Sequence, residues 1–251
     1  MATLDEDDSI LSMRVGGATI RENLEAAITA GHVVRRADGK FELPKIPARR
    51  YFIKKRPMGL NCQFRNEFVF AHLYRKQAVP ISCRDCYKLK ISPSTLRQLL
   101  ATKQISEQLP DPSKSGTEVH VKDNQSLYAT YFYLSGLEKA RALYKVVREL
   151  LDTHPLLGKA VKMVIKRGCT NYERNCGPSD RYTFDPKLAD IENYFFGRFA
   201  KKTTTPVNKE LDDAARLIAM ARTAYAIGDD TYKDVTDGKE LYPPVVNYNP
   251  T

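Results

Sequence analysis

The chain has 251 residues, 42% of them hydrophobic, and a formal charge of +10, enough apolar material for one large or two small domains with their own cores. No apolar run approaches the roughly 18 residues that cross a bilayer, and the acidic start, Met1 to Asp8, fits neither a secretory signal nor an Arg-rich transit peptide. A cytoplasmic protein with no membrane partner is expected, and five cysteines, an odd number, argue against a fully paired disulfide framework.

In chain order, residues 19–30 read as an amphipathic helix, with Ile20, Leu24, Ala27 and Ile28 at helical spacing and Gly31 as the stop. Residues 32–36 and 40–43 flank Asp38-Gly39, a hairpin turn signal. Helix plus basic hairpin is the end of a winged-helix pattern, but the 18 residues before it are too few for two upstream helices. Pro44, Pro47, Pro57 and Pro80 then punctuate an irregular basic region that includes one helix over residues 65–76. Residues 1–80 thus form an N-terminal helix and basic hairpin region. From Val33 to Lys103 there are 17 Lys or Arg against 4 Asp or Glu, and the densest stretch carries Arg49, Arg50, Lys54, Lys55 and Arg56 around an apolar centre. Such a block suits phosphate, hence RNA or DNA, or else an acidic protein partner.

Residues 81–180 are more regular. Residues 86–91 alternate with period two as a strand, and Ser94 caps a helix carrying Leu96, Leu99, Leu100 and Ile105. A loop over 112–116 and a short strand over 118–121 follow, then an aromatic, β-branched strand over 128–134. Leu137, Ala140, Tyr144, Val147 and Leu151 mark a second helix, and residues 161–165 a last strand. The order β-α-β-β-α-β predicts an α+β protein with a ferredoxin-like core over about residues 83–168. Helices over 186–201 and 206–227 complete a C-terminal unit, residues 181–228, expected to pack on that core, and 229–251 read as an extended tail. Asp212-Asp213 and Asp229-Asp230 are adjacent rather than convergent, and read as solvated surface.

Two cysteine pairs carry the sharpest chemistry. Cys83-x2-Cys86 and Cys169-x6-Cys176 are separated by 82 residues. In the expected topology the first and last strands are antiparallel neighbours, so Cys83 and Cys86 at the start of one meet Cys169 at the end of the other. Four thiolates given as two local pairs close a shell around a [4Fe–4S] cluster or Zn²⁺. A zinc knuckle uses a tight Gly-containing turn, which Cys83-Arg84-Asp85-Cys86 lacks, whereas Gly168, Gly177 and Pro178 let the backbone approach a cluster and turn away. The cluster is therefore favoured over zinc. Cys62 is an alternative ligand, a candidate reactive thiol, or an ordinary core residue. Of the four histidines only His72 is retained as a substitute ligand.

Strand alternation also predicts a binding face. With Tyr87, Leu89, Ile91, Phe132, Leu134, Met163 and Ile165 turned to the helices, Lys88, Lys90, Tyr131, Tyr133, Lys162 and Lys166 share the other side of the sheet. Rings among cations suit base stacking with phosphate neutralisation. The leading expectation is an iron–sulfur protein that binds nucleic acid through this face. The alternatives are a redox or sulfur-transfer enzyme using Cys62, and a zinc-stabilised subunit of a larger assembly.

Overall fold

A computed structural model describes residues 8–44, 52–55, 62–120, 125–200 and 208–244, with 246 and 248. The protein is α+β. Helix α1 (Ile20–Thr29) starts at a capping box in which Thr19 accepts from Glu22 N and the Glu22 carboxylate accepts from Thr19 N. Its buried stripe of Ile20, Leu24 and Ala27 faces the core, and the short hairpin Val34–Arg35 with Phe41–Glu42 follows as the turn signal requires. Gln63–Leu73, expected as an ordinary helix, is wound as a π-helix.

The centre is one five-stranded antiparallel sheet. Its strands are β1 (Phe52–Lys54), β2 (Cys86–Ser92), β3 (Ser113–Thr117), β4 (Tyr128–Ser135) and β5 (Lys162–Arg167), in the spatial order β1-β3-β4-β2-β5. Helices α2 (Leu96–Gln108) and α3 (Leu137–Thr153) connect β2 to β3 and β4 to β5. The register sets Leu89 opposite Phe132 and Ile165, and these pack with Ala140, Leu143, Val147 and Leu151 of α3. A one-residue slip would turn that entire set out of the core.

Three details differ from the sequence expectation. The strand after α2 lies at Ser113–Thr117, where a loop was expected, and not over 118–121, of which Val121 lies outside the described residues. Ser, Lys and Gly give that segment little intrinsic strand preference, and pairing with β1 and β4 on both sides supplies the order. The cap of α2 is Thr95, whose side chain accepts from Gln98 N, rather than Ser94. The two C-terminal helices also separate. Helix α5 (Leu188–Arg198), which follows the short α4 (Thr170–Cys176), joins a core with Leu11, Phe41, Phe64 and Phe68 from the N-terminal region. Helix α6 (Lys209–Ala226) packs with Ile53, Leu96, Leu99 and Tyr128. Among the described residues no helix is long and apolar enough to cross a membrane.

Candidate functional site

The antiparallel pairing of β2 with β5 sets Tyr87 opposite Arg167, so the start of one strand and the end of the other share an edge. There Gly168 N donates to Cys86 O at 2.8 Å, and the Arg167 guanidinium donates to Arg84 O at 2.9 and 3.1 Å. Gly168 turns the chain into α4 with a φ of +66°, and a Cβ there would stand 3.2 Å from the Tyr172 ring. For an L residue this conformation costs about 1–2 kcal/mol. Gly168→Ala should lower the unfolding free energy by that amount, read as a lower urea midpoint at unchanged slope, and an unchanged midpoint would contradict the reading.

Four cysteines meet at this edge. Cys83 and Cys86 are buried with Phe70, Val79 and Tyr172, and Cys169 and Cys176 pack against that group with Tyr182 and Phe184. The Phe70 and Tyr172 rings meet edge to face at 4.5 Å, and the Tyr172 hydroxyl lies 3.4 Å from Cys83 Sγ. All five cysteines are free thiols. Burial pushes Cys83 up to about 12 despite the Tyr172 contact, and Cys86 up to about 11 despite the nearby Lys88 charge. Both are therefore neutral unless a cation joins them.

The fifth cysteine belongs to the same electrostatic group. Cys62, at the head of the π-helix, is raised first by burial and then by the charge of Cys169, while Cys86 feels both Cys169 and Cys62. Cys83 in turn feels Cys86 and Cys169. Cys176 stands differently. Burial alone raises it, and its thiol points to Lys76 O at 3.5 Å. Charge thus links Cys62 to Cys86 and Cys169, and Cys83 to Cys86 and Cys169. Among the described residues no three thiols, imidazoles or carboxylates are grouped to hold a single metal ion. His72 stacks on His32, with ring centroids 5.4 Å apart.

A carboxylate deep in the fold holds the Cys83 turn. Glu192 of α5, 4% exposed, accepts from Ile81 N at 2.7 Å, Ser82 N at 3.1 Å and the Tyr74 hydroxyl at 3.3 Å. Its place was visible as an oddity: Leu188, Glu192 and Phe195 fall at i, i+4 and i+7, which puts a charge on an apolar stripe.

The lysine and tyrosine face lies next to the thiols. In register, Lys88 is flanked by Tyr133 and Lys166, and Lys90 by Tyr131. Lys88, Lys90, Tyr131, Tyr133 and Lys166 line one cavity of ≈ 100 Å³ together with Lys114, Gly168 and Thr170. Lys114 of β3 was missed because its strand was read as loop. Lys88 Nζ donates to Cys169 Sγ at 3.2 Å and so joins the two sites. The face is recessed rather than an open platform. Tyr133 is 6% exposed, Tyr131 is half-buried with Phe52 beside it, and Lys90 is buried in an ion pair with Glu118 at 2.8 Å. Glu118 also accepts from the Tyr131 hydroxyl.

The other predicted basic residues lie elsewhere. Lys162 is exposed at the far end of β5, opposite Ser92. Lys54 is exposed on β1, and Lys55 donates to Ser106 O at 2.9 Å. Arg49, Arg50 and Arg56 lie outside the described residues. No family model, curated protein or solved structure matches the chain.

Proposed function

We propose that this is an iron–sulfur protein whose cluster is held by Cys62, Cys83, Cys86 and Cys169 at the edge of a ferredoxin-like core. The observation that carries the reading is the gathering of Cys83, Cys86 and Cys169 at one sheet edge, with Cys62, from a third stretch of chain, close enough for its charge to act on Cys86 and for that of Cys169 to act on it. Soft thiolate donors are the donor set of iron–sulfur clusters and zinc, and a cluster with its own sulfide tolerates the wider spacing of ligands that a single ion does not. The strand order and the two crossover helices support the ferredoxin-like assignment, with β1 as an added edge strand.

The neighbouring cavity favours a redox or substrate-binding role over a structural staple beneath a nucleic-acid platform. Stacking a base needs an exposed ring, and Tyr133 is not exposed. Within the enzyme reading, Cys62 fits a ligand better than a nucleophile. A reactive thiol is held down by nearby cations, whereas burial drives Cys62 up in spite of Lys88, Arg65 and Lys114. A bound cluster would supply electron transfer or a coordination position at the cavity wall. The chain's own residues would bind and orient an anion there.

The test is iron, sulfide and zinc analysis of anaerobically prepared full-length protein, with its visible spectrum. Iron and sulfide near four each per chain, with broad visible absorption, are expected. A colourless protein carrying one zinc would overturn the proposal.

A further inference from the structure

The cavity beside Cys169 gathers four ammonium groups, Lys88, Lys90, Lys114 and Lys166, inside ≈ 100 Å³. Two carboxylates answer them: Glu118 pairs with Lys90 at 2.8 Å, and Glu173 pairs with Lys166 at 2.8 Å. Lys88 is turned to the Cys169 sulfur. Lys114 makes no ion pair with a carboxylate among the described residues, and its Nζ lies 4.1 Å from the centroid of the Phe52 ring and 5.0 Å from that of Tyr131. Lys88 and Lys114 repel each other across the cavity, and burial with that repulsion pulls Lys114 down to about 8. A half-buried cation beside like charges opposes folding unless something neutralises it. Among the described residues the carboxylate that acts on Lys114 is Glu118, which is already paired with Lys90.

We propose that this cavity is a binding site for a small oxyanion, a phosphate- or sulfate-like group taken by Lys88, Lys114 and Lys166. The cavity is small, ≈ 100 Å³, which suits one such group. The three lysines come from three strands of one sheet face, β2, β3 and β5, and line the same cavity, so distant parts of the chain supply its charge. The Phe52 and Tyr131 rings lie against Lys114 and keep bulk water from it, and an ion contact in such a shielded place is stronger than one at an open surface. Lys114 and Lys166 make no bond to a thiol among the described residues, and Lys88 is the one donor shared with Cys169.

Calorimetric titration of the full chain in chloride buffer, with inorganic sulfate, inorganic phosphate and a phosphomonoester in separate arms, tests the proposal. A saturable one-to-one site is expected, and Lys114→Met should weaken it about tenfold or more, while Lys162→Met, outside the cavity, leaves it within about twofold. A tighter phosphomonoester arm would identify the phosphoryl group of a larger substrate as the ligand, and equal arms the free ion. Folding supplies a second reading of opposite sign. Without added anion, Lys114→Met should melt at or above the wild-type Tm, and saturating sulfate should raise the wild-type Tm more than that of the variant. Absence of binding in every arm, or an equal response of wild type and Lys114→Met, would overturn the proposal. So would binding confined to a single-stranded oligonucleotide, which would assign the basic residues to a polymer instead.

Discussion

Glu192→Ala should destabilise the protein by about 3–5 kcal/mol and lower Tm by roughly 6–20 °C. The wild-type carboxylate is buried and accepts two backbone N–H groups and the Tyr74 hydroxyl. Alanine removes the acceptor and leaves the Ile81 and Ser82 amides, at the head of the turn that ends in Cys83, without it. Hydrogen bonds to a charged group contribute about 1.5–3 kcal/mol each, and orphaned donors add their own desolvation cost. Glu192→Gln keeps one acceptor oxygen but sets an amide donor against a backbone donor, so its loss should fall between wild type and alanine. Denaturation of both variants in urea checks the order. A Glu192→Ala midpoint equal to wild type would show that the turn holds itself. Against a total stability of about 5–15 kcal/mol, the predicted loss is large enough to displace Cys83 from the thiol group as well, because it sits on the released turn.

Asp229→Ala should cost about 2–4 kcal/mol. This aspartate begins the segment that reads as a tail, and adjacent Asp229-Asp230 reads as solvated surface. In the fold, Asp229 Oδ2 accepts from Leu96 N at 2.7 Å and from the Tyr128 hydroxyl at 2.6 Å, while Oδ1 accepts from Thr231 N and Oγ1. One side chain therefore ties the start of α2, strand β4 and the C-terminal segment together. Burial alone would raise its pKa, but the hydrogen bonds from Tyr128, Thr231 and Leu96 outweigh it and hold the carboxyl below its ordinary value. A carboxyl depressed by folding contributes stability above its unfolded pKa, and that contribution disappears as pH falls through the folded value. The Tm gap between wild type and Asp229→Ala should thus be full at about pH 7 and narrow below about pH 4. A gap independent of pH would mean that the aspartate acts through shape and not through its charge.

How far the sequence carried depended on how local each signal was. The period-two alternation of β2, β4 and β5 was legible, and it put Lys88, Tyr133 and Lys166 on one face because side chains in neighbouring strands keep their sides when paired in register. The meeting of Cys83, Cys86 and Cys169 followed from strand order alone. Other features were set by contacts distant in sequence. Ser113-Lys114-Ser115-Gly116-Thr117 has no aromatic or branched apolar run, so its strand, and with it Lys114, depends on partners on both sides. Cys62 stands at the head of a π-helix that packs Phe70 onto Tyr172, a contact between residues about a hundred positions apart, and so lies within electrostatic reach of Cys169. The recessing of Tyr131 likewise follows from Phe52 and Glu118, which come from outside the strand that carries the ring.

The proposed ligand set is the central claim, and it divides two cysteines that spacing alone would rank the other way. Iron content per chain, measured side by side on anaerobically reconstituted Cys62→Ser and Cys176→Ser proteins of matched fold by circular dichroism, tests it most directly. Cys62→Ser should lose most of its iron and its visible absorption, as should Cys83→Ser, Cys86→Ser and Cys169→Ser, while Cys176→Ser keeps the wild-type content. Retention of iron in Cys62→Ser together with its loss in Cys176→Ser would contradict the account and return the ligand set to the two spaced pairs.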